Sequence, residues 1–366
     1  MPSDTGSSHA EPPDTEPPDI GPSDHYSKGS DAMPTALSVL DLATISPGDT
    51  ARDSFDNSVT LARAAERSGY RRVWYAEHHS MEQIASSATS VLIGYVAAHT
   101  ETIRLGAGGI MLPNHSPLVI AEQFGTLETM YPGRIDLGLG RAPGSDQKTM
   151  LALRRDPSSA DSFPQDVLEL QGYLAGRSRV PGVQAVPRPD SEVPLYILGS
   201  SLFGAQLAAH LGLPYAFASH FAPDALHQAV TAYRDTFQPS HQLPEPYVMA
   251  GVNVFAADDH DEAADQKATA YRNRARMMIK RGAADTVLTD AEIDAFLASP
   301  NGRPLTTMTK YTAVGTPAEV RSYLDDFADS IGADELILTH QATRIADRVR
   351  SVELTGAAMA ADVPAG

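Results

Sequence analysis

From Ala36 onward, short apolar runs alternate with longer stretches of helical period, and this alternation restricts the chain more than any single motif. Strand-like runs fall at Ala36–Leu42, Arg72–Ala76, Ile103–Ala107, Ile135–Leu139, Leu195–Leu198, Tyr215–Ser219, Val248–Phe255 and Glu335–Thr339. Helical patterns separate them at Phe55–Ser68, Ala88–His99, Leu118–Met130, Leu202–Leu211, Asp224–Phe237, Asp261–Ile279 and Ala318–Ser330, with one more near Ile345–Leu354. Parallel strands cannot be joined by a tight turn and need a crossover, for which a helix is the usual solution. Eight such units predict an α/β fold in which eight parallel strands close into a TIM-type barrel, rather than an open doubly wound sheet.

A chain of 366 residues with 42% hydrophobic content is long enough for such a barrel, and the expected domain runs over residues 34–366. Residues 1–33 are rich in Pro, Asp, Glu and Ser, carry EPPD twice and show no apolar period, so burial cannot offset their ordering entropy. A disordered tail is expected there, with Met33 standing as an alternative start directly before the first strand. Two connections are long, residues 142–193 with a short helix at Asp166–Leu174, and residues 282–315; insertions of this length usually carry function or cover a site. Within the second, GTPAE at Gly315–Glu319 reads as a capping box with proline in the first turn, hence a helix start rather than a site.

Composition removes several classes of function. With 28 Lys and Arg against 46 Asp and Glu, the formal charge is −18, and a nucleic-acid partner would be repelled overall. There is no cysteine, so neither a thiolate nucleophile nor a sulfur-ligated metal is available. The opening MPSDTGSSHA lacks a basic start and apolar core, and no apolar run approaches ~18 residues. No membrane association is expected, and the cytoplasm is the expected compartment.

Barrel active sites lie where the strands end, so the residues just after each strand are the candidates. The second strand runs into Glu77, His78, His79 and Ser80, a histidine pair beside a carboxylate. Such a set could serve proton transfer or, in a metal hydrolase, zinc ligation; only His220, after the sixth strand, supplies a further clear imidazole. After the third strand, Gly108 and Gly109 let backbone approach a flat ligand, although close packing explains a glycine pair equally well. The fourth delivers Arg141, whose planar fork suits a phosphate. After the fifth, Gly199, Ser200 and Ser201 open a helix, an anion site by geometry and equally an ordinary cap. Arg141 and this helix start come from consecutive strands, and one shared phosphate is expected between them.

Three stretches, WYAEHHS, RLGAGGIMLPNHSPLVIAEQFGTLETMYPGRIDLGLGRAPG and LYILGSS, resemble the bacterial luciferase-like flavin monooxygenases, and the similarity extends from Ala36 to the last helix. The resemblance implies a barrel that binds reduced FMN and uses O2 to oxidise a small organic substrate, with the hard chemistry carried by the cofactor. It further implies that His78 is catalytic and His79 its neighbour, that a non-proline cis peptide joins Gly108 to Gly109 against the flavin, and that Arg141 and Ser201 bind the FMN phosphate, with Gly199 and Ser200 beside them. His220 and Asn253 are expected in the substrate pocket. No metal site is expected.

Ser200 stands where light-emitting members carry glutamate, and the AGG triplet is less alanine-rich than theirs, which argues against light emission and aldehyde oxidation. Because no second nucleotide-binding unit is apparent, a separate flavin reductase is expected to supply reduced FMN. A homodimer through the first barrel helices is expected by analogy. The alternatives are a deazaflavin (F420)-dependent hydride-transfer enzyme on the same barrel, a non-catalytic flavin-binding protein, and a metal-dependent barrel hydrolase.

Overall fold

A computed structural model describes residues 35–142, 146–189, 192–280 and 288–361. The expected tail lies outside the described residues, as do residues 282–287 of the second insertion. The strands are β1 (Ala36–Asp41), β2 (Arg72–Tyr75), β3 (Arg104–Met111), β4 (Ile135–Gly140), β5 (Leu195–Gly199), β6 (Tyr215–Phe217), β7 (Val248–Ala256), β8 (Thr312–Gly315) and β9 (Glu335–His340). The helices are α1 (Ala51–Arg67), α2 (Thr89–Ala97), α3 (Pro117–Met130), α4 (Gln147–Ala152), α5 (Phe163–Leu174), α6 (Leu202–Leu211), α7 (Leu226–Thr236), α8 (His260–Lys280), α9 (Asp290–Ala298), α10 (Arg303–Met308), α11 (Pro317–Ile331) and α12 (Ile345–Ala360).

All strand pairs are parallel, and β6, β5, β4, β3, β2, β1, β9 and β7 follow one another around a barrel that the β6–β7 pairing closes. These eight are the strands expected from the sequence. The ninth is a correction: β8 lies inside the stretch read as an insertion without strands. On β7, residues Val248–Ala250 pair with β6 and Asn253–Ala256 with β8, while β9 takes the other edge. The strand β8 thus extends a shared edge above β6, and four residues after a run of short helices leave too little period to reveal it.

Local chemistry explains where the helices begin. Thr50 and Asp53 form a reciprocal capping box at α1, Thr289 and Glu292 another at α9, and the GTPAE expectation holds, with Thr316 and Glu319 capping α11. Helices bury one face on the barrel wall, as α1 does with Val59, Leu61, Ala62 and Ala65. Strands covered on both faces read as continuous apolar runs, and β7 is buried along all nine residues. Leu40, Trp74, Tyr196, Ala216, Met249 and Ile337 belong to a separate cluster contributed by six barrel strands. Its Trp74 and Tyr196 rings meet edge to face at 4.9 Å. No helix among the described residues is long and apolar enough to cross a membrane.

Candidate active site

Directly after β2, the chain divides the EHH motif between two tasks. Glu77 is 1% exposed and accepts hydrogen bonds from the Met111 N–H at 2.9 Å, from Nε2 of His115 at 2.9 Å and from Asn114 Nδ2 at 3.3 Å, and it pairs with Nε2 of His79 at 2.8 Å. Burial pushes its pKa up, but the bonds from His115, His79 and the backbone outweigh that and hold it below the usual carboxylate range. Glu77 and His79 therefore pin the turn that follows β3. His115 joins them from 38 residues away, a partner the sequence pattern did not single out. Among the described residues no group of three His, Asp or Glu side chains could hold a metal ion.

His78 is half-buried and close enough to His220 for its charge to oppose protonation there. His220 follows β6 and rests against Gly251 on β7, where a side chain would strike its ring. Burial pushes its pKa down to about 3, with the charges of Arg274 and His78 adding to the effect. Asn253, the other pocket candidate, is fully buried. Its Nδ2 donates to the His220 carbonyl at 2.7 Å, and its Oδ1 accepts from Thr339 Oγ1 at 2.7 Å and from Gln341 Nε2 at 2.5 Å. Asn253 acts on the mouth by holding His220 and Gln341, having no polar atom of its amide left to offer a ligand.

The glycines of β3 and β4 are needed by the barrel itself. A Cβ at Gly108 would come within 2.8 Å of Leu40 Cδ1 and 2.9 Å of Trp74 Cβ. The Gly108–Gly109 peptide is cis, and the β3–β4 register shifts between Ala107 and Ile110. Close packing thus accounts for Gly108 whatever else the segment does.

On the other side of the mouth, Arg141 leaves β4 and lays its guanidinium 4.3 Å from the ring centroid of Phe203, the second residue of α6. Ser201 is the N-cap of α6, yet its hydroxyl makes no capping bond, and Gly199 and Ser200 lead into it from β5. Arg141 thus reaches the first turn of α6 through Phe203. Arg141 also donates to the Ala160 carbonyl at 3.2 Å and approaches exposed Asp161 at 3.8 Å, a loose surface pair of little energetic weight. It shares a cleft of about 250 Å³ with Pro113, Asn114, Met150, Ser159, Ala160 and a second arginine, Arg155. Arg155 lies within the first insertion, in RRD, where nothing local marks it as a site residue.

A closed parallel barrel with basic and imidazole groups gathered at the carboxyl ends of its strands has the organisation of a barrel enzyme. The sequence model of the luciferase-like monooxygenases matches residues 35–335, and the chain belongs to that family. It is 50% identical over 321 residues to a luciferase-like monooxygenase of Escherichia coli (strain K12), covering 87% of this chain and 95% of the relative. It is 31% identical over 334 residues to the N-acetyl-S-alkylcysteine monooxygenase of Bacillus subtilis (strain 168), covering 89% and 98%. The crystal structure of apo-MsnO8 superposes with a TM-score of 0.80 at 36% identity, covering 89% of this chain and 97% of that one. Two more distant structures share the fold alone, a Baeyer-Villiger monooxygenase from Pseudomonas putida in complex with FMN (16% identity, TM-score 0.67) and an F420-dependent secondary alcohol dehydrogenase (17%, 0.65).

Proposed function

We propose that this chain is an FMN-dependent monooxygenase, which takes reduced FMN from a separate reductase and uses O2 to oxidise a small organic substrate. The observation that carries the reading is the contact of Arg141 with Phe203 in the first turn of α6, whose N-cap Ser201 makes no capping bond, since a guanidinium near an uncapped helix start suits a phosphate monoester. Ser200, Ser201 and the α6 amides would donate to the phosphate with Arg141, and Arg155 lines a cleft with Arg141. Gly108 and Gly109 would offer side-chain-free backbone to a flat ring. When bound, reduced FMN supplies the electrons for oxygen activation.

The chain's own part is binding, orientation and proton control. His78, next to Glu77 and His79 that are tied to the turn after β3, would exchange a proton at the mouth. Neutral His220 adds no competing charge. A homodimer through the early barrel helices belongs to this reading by analogy.

Anaerobic titration with reduced FMN, reduced riboflavin and reduced F420 tests the proposal. FMN should bind at least about 10-fold more tightly than riboflavin, and Arg141→Ala should erase that preference. Equal affinity for FMN and riboflavin defeats the phosphate assignment, and binding of F420 alone makes the protein a hydride-transfer enzyme. Unaided NADH oxidation at a useful rate would remove the separate reductase.

A further inference from the structure

Three arginines on α8 differ in what they face. Arg272 forms a two-pronged ion pair with Asp294, 2.7 Å at each contact, and Arg276 pairs with Asp290, both carboxylates belonging to α9. Residues four apart share a helix face, whereas Arg274 lies about 200° around from Arg272. It points to the barrel mouth, where Nη2 donates to Gln341 Oε1 at 2.8 Å, just beyond the end of β9. Among the described residues it has no carboxylate within ion-pair distance.

The surroundings are built to keep it that way. Gln341 is held by Asn253 at 2.5 Å and Thr339 at 3.1 Å, and Asn253 in turn holds the His220 backbone, so one hydrogen-bonded chain ties together the ends of β6, β7 and β9. Arg274 is half-buried, and burial pushes its pKa down. His220 Nδ1 is buried with no hydrogen-bond partner among the described residues. A desolvated guanidinium answered only by a neutral amide is costly, and a bound anion would offset that cost. The cleft that Arg141 lines lies beyond β3 and β4, and the α6 start follows β5, so the phosphate assignment falls on different strands from this group.

We propose that Arg274, oriented by Gln341 beside His220 and His78, anchors the acidic group of the substrate, so that this mouth selects small organic carboxylates over their neutral analogues. The inference rests on the monooxygenase reading for what happens to the anchored acid, and on geometry alone for its binding.

The test is calorimetric titration of the full chain with 3-phenylpropanoate and with 3-phenylpropanamide, in the presence and absence of reduced FMN under anaerobic conditions. The acid should bind at least about 10-fold more tightly than the amide. Arg274→Gln should abolish the preference while leaving FMN affinity and melting temperature unchanged, and Arg274→Lys should retain most of it. Equal binding of acid and amide, no binding of either, or a preference that survives in Arg274→Gln overturns the proposal. If FMN fails to bind while the preference and its loss persist, the anchor stands and the flavin reading falls.

Discussion

At the amino end of the barrel, Arg72 is 1% exposed and touches two carboxylates, Asp136 at 2.8 Å and Glu335 at 2.9 Å, whereas at the carboxyl end Arg274, among the described residues, pairs with a carboxamide and no carboxylate. The lower cluster is closed on itself: Asp136 also takes Arg104 at 2.6 Å and Trp74 Nε1 at 3.1 Å, and Glu335 takes the Tyr247 hydroxyl at 2.7 Å and Ser38. The upper end leaves donors over. Both ends bury charge in the same barrel, and the contrast teaches that satisfaction, more than burial, separates a structural plug from a site awaiting a ligand.

The sharpest way to break this comparison is to remove one cation from each end. Among the described cations, Arg72→Met leaves buried Asp136 with Arg104 alone and buried Glu335 with only Arg71, at 3.8 Å, and should cost about 3–5 kcal/mol in urea unfolding. Arg274→Gln should stay within about 1 kcal/mol of the parent, because no carboxylate among the described residues loses its partner. Equal losses would show that the mouth is as structural as the plug.

Next in size, His78→Ala should lower product formation by about 100-fold or more, read with reduced FMN and O2 once a substrate is found, while FMN affinity and unfolding midpoint hold steady. A matching fall in stability would place His78 with Glu77 and His79 as a turn-holding residue.

Acid sharpens the contrast from another side, since two depressed imidazoles sit at the carboxyl ends of strands, His220 and His340, each with a pKa near about 3. Unfolded chains protonate them near 6.5, so their contribution is complete above that value and is lost as pH falls toward 3. Between pH 6.5 and 5 each should remove up to about 2 kcal/mol. His340→Gln should flatten the acid limb of a urea-midpoint series; an unchanged slope would show that the native state takes up the proton in place.

The smallest expected effect is at Glu77→Gln, which keeps an acceptor for the Met111 N–H but loses the charge shared with His79 and His115, costing about 1 kcal/mol. It should also weaken the acid dependence below the ordinary Glu value of 4.5, because the parent carboxylate's stabilisation is present above that pH and lost as pH drops through its lowered value. Hydrogen exchange at Met111 would report the loosened turn directly.

Much of this was open to reading from the chain. The eight barrel strands and the caps at Thr316 and Glu319 follow from periods and motifs within a few residues of each other, and the approach of Arg141 to α6 from the order of consecutive strands. The strand β8 escaped because four residues carry little period and pair only with the end of β7. Arg155 and Arg274 escaped because an arginine in an insertion and an arginine on a charged helix look like solvated surface. His79 beside His78 could be called a neighbour by resemblance, yet its partner became visible only when Glu77 and His115 met.

By itself, the sequence determined the barrel and the strand ends at which chemistry gathers, since apolar period and crossover length are local properties of the chain. Tertiary structure alone decided which buried charges were answered. Arg72 gains Glu335 because β1 lies between β2 and β9 in the closed sheet, and Arg274 is separated from the α9 carboxylates by the turn of one helix. Such pairings join residues far apart in the chain or on opposite faces of an element, and only closure of the barrel sets which of them come within a few ångströms.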